Sequence, residues 1–396
     1  MKKVVLHDYG GYPFLFDISY QLSLKGYDVY HIYSSASGSP NGIFSESKNL
    51  CVIDLGKNLE KVQKDSFLKR FTQEYDYGKL VCNTIEKINP DIVFSANTPL
   101  LSQLRLIRLC EMKNIRIVHW LQDILSIAAE KVLSKKYKFL GSAIGYFFLQ
   151  IEKRCLSEAD YILAISDSFK NTIVNWGIDE KKILVFENWA QIDQIPLINR
   201  ENDFSKEYDL LDSFNIIYTG TLGMKQNPEL LFKIAQHYSK NSSSVKLIVV
   251  AAGAGKDYLV RKMLETPINN LICLPLQPYN RLPEVLGSAD MLLATLNEDA
   301  GDYCVPSKVL TYYCSGKASF LIVPTHNLAA RTTLIRKLGF ASDPSEFNEI
   351  LNTIDLNIKN PLELEQRGKN ARTYAEENFK PKLLIEKFLG LFPDLF

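Results

Sequence analysis

The sequence predicts an α/β protein with two doubly wound parallel sheets that face each other across a cleft. Short apolar segments rich in β-branched residues alternate with helical patterns, as they do in βαβ units. The alternation stops once, at a polar stretch after residue 188, and then restarts. A chain of 396 residues is also long enough for two domains of ordinary size.

The first half contains apolar segments typical of strands buried on both faces of a parallel sheet. They are Val4–His7, Val29–Tyr33, Cys51–Leu55, Asp91–Ser95, Arg116–Trp120, Tyr161–Ile165 and Leu184–Glu187. Helical patterns separate most of them, at Phe14–Lys25, Phe67–Lys87, Leu100–Lys113, Phe139–Ser157 and Ser168–Trp176. We therefore predict a Rossmann-like domain over residues 1–190.

Residues 191–212 are polar and charged and include Pro196, so they are predicted to be a linker. A second Rossmann-like domain is expected over residues 213–378. Its predicted strands are Asn215–Thr219, Lys246–Ala251, Leu271–Leu274, Met291–Ala294 and Ser319–Val323. Its predicted helices are Pro228–Tyr238, Lys256–Leu264, Arg281–Leu286, Ser307–Cys314 and Leu328–Leu338. Leu362–Phe392 reads as two helices divided near Phe379–Pro381, and a last helix over residues 379–396 could return to the N-terminal domain.

Composition restricts the class of protein. A net charge of +1 argues against nucleic-acid binding by the molecule as a whole. The seven cysteines form no CxxC pair, which indicates buried free thiols in a reducing compartment. Neither a signal peptide nor a run of about 20 apolar residues is evident. We expect a cytoplasmic protein.

Two loops of the second domain could bind a diphosphate. Gly220 and Gly223 follow a strand and precede a helix, so they would let the backbone and Lys225 approach an anion. Ser307 is a suitable N-cap for the helix that follows, and Lys308 would lie in its first turn. A cation there is unfavourable unless an anion compensates, which favours a phosphate. An ordinary βα turn and a solvated lysine remain the alternatives.

Two strand-end loops of the first domain could handle an acceptor. His119 and Asp123 end one apolar strand, and either could assist proton transfer from a hydroxyl. The alternative is a core histidine with a helix-capping aspartate. His7 and Asp8 precede Gly10, Gly11 and Tyr12, where the backbone could approach a ligand or form a plain turn.

Three further segments carry weaker signals. Gly253, Gly255 and Lys256 lack the full phosphate-loop pattern, which argues against ATP. Glu298, Asp299 and Asp302 are more consistent with a solvated loop than with a metal site. In residues 131–154, Lys131, Lys135, Lys136, Lys138, Lys153 and Arg154 flank an apolar stretch too short to span a bilayer. Those residues could form a helix on an anionic membrane surface or a core helix with charged ends.

Together these segments resemble the family-4 retaining glycosyltransferases of the GT-B fold, nearest to bacterial polysaccharide and colanic-acid-type enzymes. The segments that carry the resemblance are ADYILAISDSFKNTIVNWGIDEKKILVFENW (159–189), TGTLGMKQNPELL (219–231), LPLQPYNRLPEVLGSADMLLATL (274–296) and VPSKVLTYYCSGK (305–317). They occur in the family's order, and the resemblance covers nearly the whole chain.

The resemblance implies transfer of a sugar from a nucleotide diphosphate sugar, with UDP expected, to a lipid-linked or glycan acceptor in surface polysaccharide synthesis. Configuration would be retained, and neither a metal nor a cofactor would be needed. The implied donor contacts are Gly220, Leu222, Gly223, Lys225, Leu276, Gln277, Pro278, Ser307, Lys308, Val309 and Thr311. Acceptor-side residues would be Gly10, Gly11 and Tyr12, and catalytic residues Asp123, His119 and Lys308.

The sequence departs from the family pattern at two places. The family's paired glutamates fall on Tyr303 and Thr311, and its arginine and lysine after the first glycine fall on Thr221 and Gln226. Lys225 and Lys308 would therefore have to carry the phosphate charge. A sugar-nucleotide epimerase of the same architecture, or a non-catalytic partner subunit, remain the alternative functions.

Overall fold

The computed structural model describes residues 2–37, 45–61, 67–241, 244–300 and 304–396. The chain forms two compact units. The N-terminal unit comprises Met1–Asn188 and Pro381–Phe396, and the C-terminal unit comprises Trp189–Lys380.

A parallel sheet of seven strands forms the centre of the N-terminal unit, in the order β3-β2-β1-β4-β5-β6-β7. Its strands are β1 (Lys3–Asp8), β2 (Asp28–Tyr33), β3 (Leu50–Asp54), β4 (Ile92–Ala96), β5 (Arg116–Leu121), β6 (Tyr161–Ala164) and β7 (Ile183–Val185). The strand order reverses between β1 and β4. Doubly wound sheets bind ligands beyond the carboxyl ends of the strands at such a reversal.

Five helices follow strands of this sheet: α1 (Pro13–Leu24), α2 (Phe67–Ile88), α3 (Leu100–Lys113), α4 (Leu125–Glu158) and α5 (Asp167–Asn175). Val5, Val93 and Ile117 lie on neighbouring strands and share one buried cluster with residues of α2, α3 and α4. Register also aligns His7 with Ser95 and Ser95 with His119. These three polar residues therefore lie side by side on adjacent strands, near the carboxyl edge of the sheet.

Helix α4 does not run straight. A straight helix would separate Leu125 from Glu152 by roughly 40 Å. Instead, the Glu152 carboxylate accepts hydrogen bonds from the backbone N–H groups of Leu125, at 2.9 Å, and Ser126, at 3.0 Å. A Cβ at Gly145 would lie 2.7 Å from the Cβ of Glu130. The two ends of α4 therefore lie side by side, and glycine lets them approach closely.

The C-terminal unit contains a parallel sheet of six strands, in the order β10-β9-β8-β11-β12-β13. Its strands are β8 (Phe214–Thr221), β9 (Val245–Ala252), β10 (Leu271–Leu274), β11 (Met291–Thr295), β12 (Ser319–Ile322) and β13 (Gly339–Ser342). Its helices are α6 (Asp203–Glu207), α7 (Pro228–Asn241), α8 (Ala254–Glu265), α9 (Leu282–Gly287), α10 (Lys308–Cys314), α11 (Leu328–Ile335), α12 (Phe347–Lys359) and α13 (Pro361–Asn378). Here the strand order reverses between β8 and β11.

Residues 191–212, the predicted linker, are packed into the C-terminal unit. Asn202 caps α6 in a capping box with Ser205, and Phe204 is buried. The Arg200 guanidinium pairs with Asp290 at 2.9 Å and donates to the Leu211 carbonyl at 2.8 Å. This segment is therefore ordered against its own unit.

The last helix, α14 (Pro381–Leu391), belongs to the N-terminal unit. Phe388 is fully buried, with its ring 5.0 Å from that of Phe94 and 5.8 Å from that of Trp120. Phe392 packs on Phe94 and on Phe388 itself. Apolar residues at the end of the chain therefore complete a core begun by strands β4 and β5.

The predicted fold class is confirmed, because each unit is a doubly wound α/β sheet. The sequence did not predict β13, α6 or α12, and its predicted start of α4 was Phe139 instead of Leu125. The seven cysteines all lie in the described part of the chain and none forms a disulfide; six are buried or partly buried. Within the described ranges, no helix is both long and apolar enough to cross a membrane.

Candidate functional site

The predicted glycine loop leaves the end of β8, beside the strand-order reversal of the C-terminal unit. Gly220 has φ +106°, a backbone conformation that glycine adopts readily. The loop then crosses the start of α8. The Leu222 N–H donates to the Ala252 carbonyl at 2.9 Å, and the Leu222 carbonyl accepts from the Gly255 N–H at 2.8 Å.

This crossing explains the second glycine pair, whose pattern is an incomplete phosphate loop. Gly253 has φ +119°, and a Cβ there would lie 2.7 Å from the Leu222 carbonyl oxygen. A Cβ at Gly255 would lie 2.8 Å from the carbonyl oxygens of Leu222 and Gly223. Gly253 and Gly255 thus leave room for the loop that carries the candidate site.

The sequence predicts that the glycine loop leads directly into a helix, and the structure differs at this point. A 3₁₀ turn, Met224–Gln226, intervenes, and the Asn227 side chain accepts from the Leu230 N–H of α7 at 3.3 Å. The Gly223 N–H is also bonded within the turn, to the Gln226 side chain at 2.9 Å. Helix α7 therefore begins at Pro228, after this turn, and one N–H group of its first turn is already bonded to Asn227.

Lys308 places a charged group beside the glycine loop. Its Nζ lies 3.2 Å from the Thr221 carbonyl oxygen and 3.5 Å from the centre of the Tyr218 ring. A Cβ at Gly220 would lie 3.5 Å from the same ammonium. Burial lowers the pKa of Lys308 well below its ordinary value, and nearby Cys304 opposes this shift. A partly desolvated amine beside an open backbone loop is suited to an anionic ligand.

Ser307 takes the predicted N-cap position of α10 but does not act as a capping side chain. Ser307 lies at the start of α10, but its backbone is helical and its side chain makes no capping hydrogen bond. Val309 is buried, and its N–H donates to the Pro306 carbonyl at 3.1 Å. Thr311 is half-buried on the same helix, whereas Tyr303 lies outside the described residues. Helix α10 therefore contributes Lys308 rather than a serine-capped N-terminus.

The other candidate donor contacts lie on loops of the same unit. Lys225 is exposed, and its Nζ lies 3.4 Å from the Cys304 sulfur. Leu276 is 47% exposed after the edge strand β10. The Gln277 side chain accepts from Arg281 at 3.3 Å and Pro278 is exposed. Among the described residues no cluster of potential metal ligands occurs, and Asp302 of the acidic segment lies outside them.

In the N-terminal unit, Asp8 organises the loop that carries Gly10, Gly11 and Tyr12. Its buried carboxylate accepts from the N–H groups of Gly10, at 3.1 Å, and Tyr12, at 2.5 Å, and from the Asn97 amide at 2.8 Å. Burial raises the pKa of Asp8 to about 7, although these three hydrogen bonds oppose the shift. The sequence places Asp8 next to this loop but does not predict the contact with Asn97, because Asn97 follows another strand, β4, and is distant in sequence.

The two candidate bases, His119 and Asp123, differ in their burial. His119 lies within β5, is buried, and its Nδ1 has no hydrogen-bond partner in the described part of the chain. Burial lowers the pKa of His119 to about 4, so it is a weak base. Asp123 is exposed in the short loop before α4. It is not the helix cap that the alternative interpretation required, because Ile124 occupies that position and Glu152 binds the first N–H groups.

Comparisons with known proteins agree with this architecture. Residues 14–194 match the family model described as Glycosyltransferase Family 4. The chain is 23% identical over 286 residues to the "Putative colanic acid biosynthesis glycosyl transferase WcaI" of Escherichia coli K12, covering 71% of this chain and 69% of that protein.

Two solved structures show the same fold over nearly the whole chain. Sucrose-phosphate synthase from Thermosynechococcus elongatus superposes with a TM-score of 0.78 at 13% identity, covering 100% of this chain and 99% of that one. Anabaena Alr3699/HepE, in complex with UDP-glucose, superposes with a TM-score of 0.70 at 14% identity, covering 99% and 100%. The family match over residues 14–194, the sequence relative and the shared fold together support the resemblance to the family-4 glycosyltransferases, and the two units have the fold of the GT-B glycosyltransferases.

Proposed function

We propose that the protein is a retaining, metal-independent glycosyltransferase that transfers a sugar from a UDP-sugar to a lipid-linked or oligosaccharide acceptor. WcaI is named for colanic acid biosynthesis, and the HepE structure contains UDP-glucose. These names support surface polysaccharide synthesis as the setting and UDP as the nucleotide. Cytoplasmic location, on the inner face of the plasma membrane, is part of the proposal.

The observation that carries the proposal is the position of Lys308. Its ammonium lies beside the glycine loop, at the reversal of strand order where doubly wound sheets bind ligands. A leaving diphosphate gains negative charge as the glycosidic bond breaks, and a fixed cation there stabilises the transition state. Lys225 would add a second charge from the turn after the glycines.

Acceptor activation is assigned to the N-terminal unit. Asp123 is the first choice for assisting deprotonation of the acceptor hydroxyl, because it is an exposed carboxylate at the end of β5. His119 is the second choice, since burial leaves it neutral but weakly basic. Gly10, Gly11 and Tyr12 would contact the acceptor through the loop that Asp8 holds.

A thermal-shift screen across nucleoside diphosphates tests the donor site. A ligand that binds only the folded state raises its melting temperature, so UDP should raise it more than the other diphosphates. No shift with any diphosphate would favour a non-catalytic subunit. A new epimer formed from the sugar nucleotide alone, without acceptor, would favour the epimerase.

Lys308→Ala then tests the catalytic assignment. Loss of one stabilising group of this kind typically reduces turnover on the order of a hundredfold. Lys240→Ala is the matched control, because Lys240 is an exposed lysine at the far end of α7. Turnover that survives Lys308→Ala almost intact would remove Lys308 from the mechanism.

Membrane association is proposed through residues 131–154. Tyr146 is 64% exposed and Phe147 is 55% exposed on α4, and both could enter a lipid interface. The side chains of Lys135, Lys136 and Lys138 lie outside the described residues. Removing these three charges should release the protein from anionic vesicles, and unchanged partitioning would contradict the proposal.

A further inference from the structure

Strands β8 and β11 separate before either strand ends. They pair through Ile216 with Met291 and Ile217 with Leu292 only. Beyond these pairs, β8 remains paired with β9 through Thr221, and β11 remains paired with β12 through Thr295. The facing edges of β8 and β11 therefore leave backbone groups that need other partners.

The hydroxyl of Tyr312 fills this gap. It accepts a hydrogen bond from the Thr219 N–H of β8 at 3.1 Å and can donate to the Leu293 carbonyl of β11 at 3.1 Å. Tyr312 is fully buried, and burial raises its pKa, so the hydroxyl keeps its proton. One side chain thus satisfies both strands at the point where they part.

Tyr312 and Lys308 are four residues apart on α10, so both side chains lie on one face of the helix. Tyr312 bonds Thr219, and Lys308 bonds the Thr221 carbonyl two residues further along β8. The same helix is therefore attached to β8 at two successive points. Movement at the Tyr312 attachment would move the Lys308 ammonium relative to Gly220.

We propose that Tyr312 is a positioning residue for the donor site. Its hydroxyl holds α10 at the gap between β8 and β11, and this contact places Lys308 beside the glycine loop. This inference rests on the proposed role of Lys308 in binding the donor diphosphate. Tyr312 itself touches no reacting atom in this scheme.

Tyr312→Phe keeps the ring and removes the hydroxyl. It leaves the Thr219 N–H and the Leu293 carbonyl without this partner, so α10 should loosen and water should enter the gap. We expect UDP binding, measured by calorimetry, to weaken on the order of tenfold, within the range that a displacement of about 1 Å can cause at a catalytic site.

Tyr313→Phe is the matched control. Tyr313 is the next residue and is also buried, but its hydroxyl bonds Thr333 at 2.7 Å, away from β8 and β11. It should lower the melting temperature and leave the affinity for UDP unchanged. Equal weakening of UDP binding by both substitutions would overturn the positioning role.

A double-mutant cycle with Lys308→Ala distinguishes this inference from the proposed function. If Tyr312 acts through Lys308, Tyr312→Phe should have little further effect on UDP binding once Lys308 is alanine. Additive losses would overturn the inference while the proposed function stands. No effect of Lys308→Ala alone would instead refute the donor role on which the inference depends.

Hydrogen exchange provides a test in the unaltered protein, and it serves even if Tyr312→Phe fails to fold. The Thr219 amide should be protected, because a buried hydroxyl holds it at the strand edge. Exchange as fast as that of an exposed loop amide would show that the bridge between β8 and β11 does not persist in solution.

Discussion

Lys308 combines a positive charge with a partly buried position, which is costly unless an anion is present. Burial lowers its pKa well below the ordinary lysine value. A diphosphate beside Nζ favours the charged form and would raise that pKa again. Ligand binding and proton binding at Lys308 are therefore coupled, and the coupling has a definite sign.

UDP binding should take up protons as the pH rises through the lowered pKa of Lys308. Above that pKa the free amine is neutral, so affinity should fall with increasing pH until the pKa of the bound state is reached. Calorimetry in buffers of different ionisation enthalpy would measure the uptake. Lys308→Arg should abolish it, because a guanidinium stays charged. Uptake that persists in Lys308→Arg would assign the proton to another group.

Titration of Asp8 should change activity and stability in opposite directions as the pH falls. Its folded pKa of about 7 is raised above the unfolded value, so the folded state gains stability as the pH falls from about 7 toward 4. Protonation also removes an acceptor from the Gly10–Tyr12 loop, so turnover should fall over the same range. Melting temperatures and a pH–rate profile measure the two effects.

Asp8→Asn should have low turnover at every pH, without the fall in turnover on acidification that defines the acid limb of the pH–rate profile. Its melting temperature should also rise less as the pH falls. Asp91→Asn is the control, since Asp91 accepts from the Lys3 N–H at 2.7 Å at the opposite end of the same sheet. An unchanged acid limb in Asp8→Asn would show that another group titrates there.

Some residues of the candidate site could be predicted from the sequence and others could not. Gly220 and Lys308 could be predicted as candidates, because glycine after a strand and lysine at a helix start are local signals. Tyr312 and Asp8 act on partners at Thr219 and Asn97, which are distant in sequence. Ser307 takes the N-cap position of α10 without the capping hydrogen bond expected of a serine, because residue type alone does not determine the backbone angles at the start of a helix.

At the level of single elements, α4 shows the same limit most clearly. Its predicted start at Phe139 followed the apolar stretch, whereas the observed start at Leu125 depends on Glu152 from the other end of the helix. Helix α12 was predictable, since Phe347, Ile350, Leu351 and Ile354 recur at helical spacing. Its asparagine residues are weak helix formers and obscured the pattern.

Glu152→Ala should lower the free energy of unfolding of the N-terminal unit by roughly 2 kcal/mol, because two backbone N–H groups and a hydroxyl lose a charged acceptor. Urea denaturation would measure the loss. Glu158→Ala on the same helix is the control, since its pair with Arg154 is largely exposed and should contribute at most about 0.5 kcal/mol. Similar losses in both variants would contradict the capping role.

At the scale of the whole molecule, each unit has its own buried core, and the chain passes between units at residues 188–189 and 380–381. Position in the sequence therefore does not decide to which core a residue contributes. Phe388 follows the entire C-terminal unit but packs in the N-terminal core. The alternation of strand and helix patterns predicts two domains, but only the packing of α14 assigns that helix to the N-terminal unit.

Calorimetry should consequently resolve two unfolding transitions that respond to different changes. Phe388→Ala should lower the free energy of unfolding of the N-terminal unit alone, by about 3–5 kcal/mol as is usual for a buried phenylalanine. Only the transition of that unit should therefore move to lower temperature. UDP at about 100 times its Kd should raise the free energy of unfolding of the C-terminal unit alone, by roughly 2.7 kcal/mol, because the proposed donor site lies within that unit. A single transition moved by both changes would show that the two cores unfold together. An upward shift of the transition that Phe388→Ala lowers would place the nucleotide on the N-terminal unit instead.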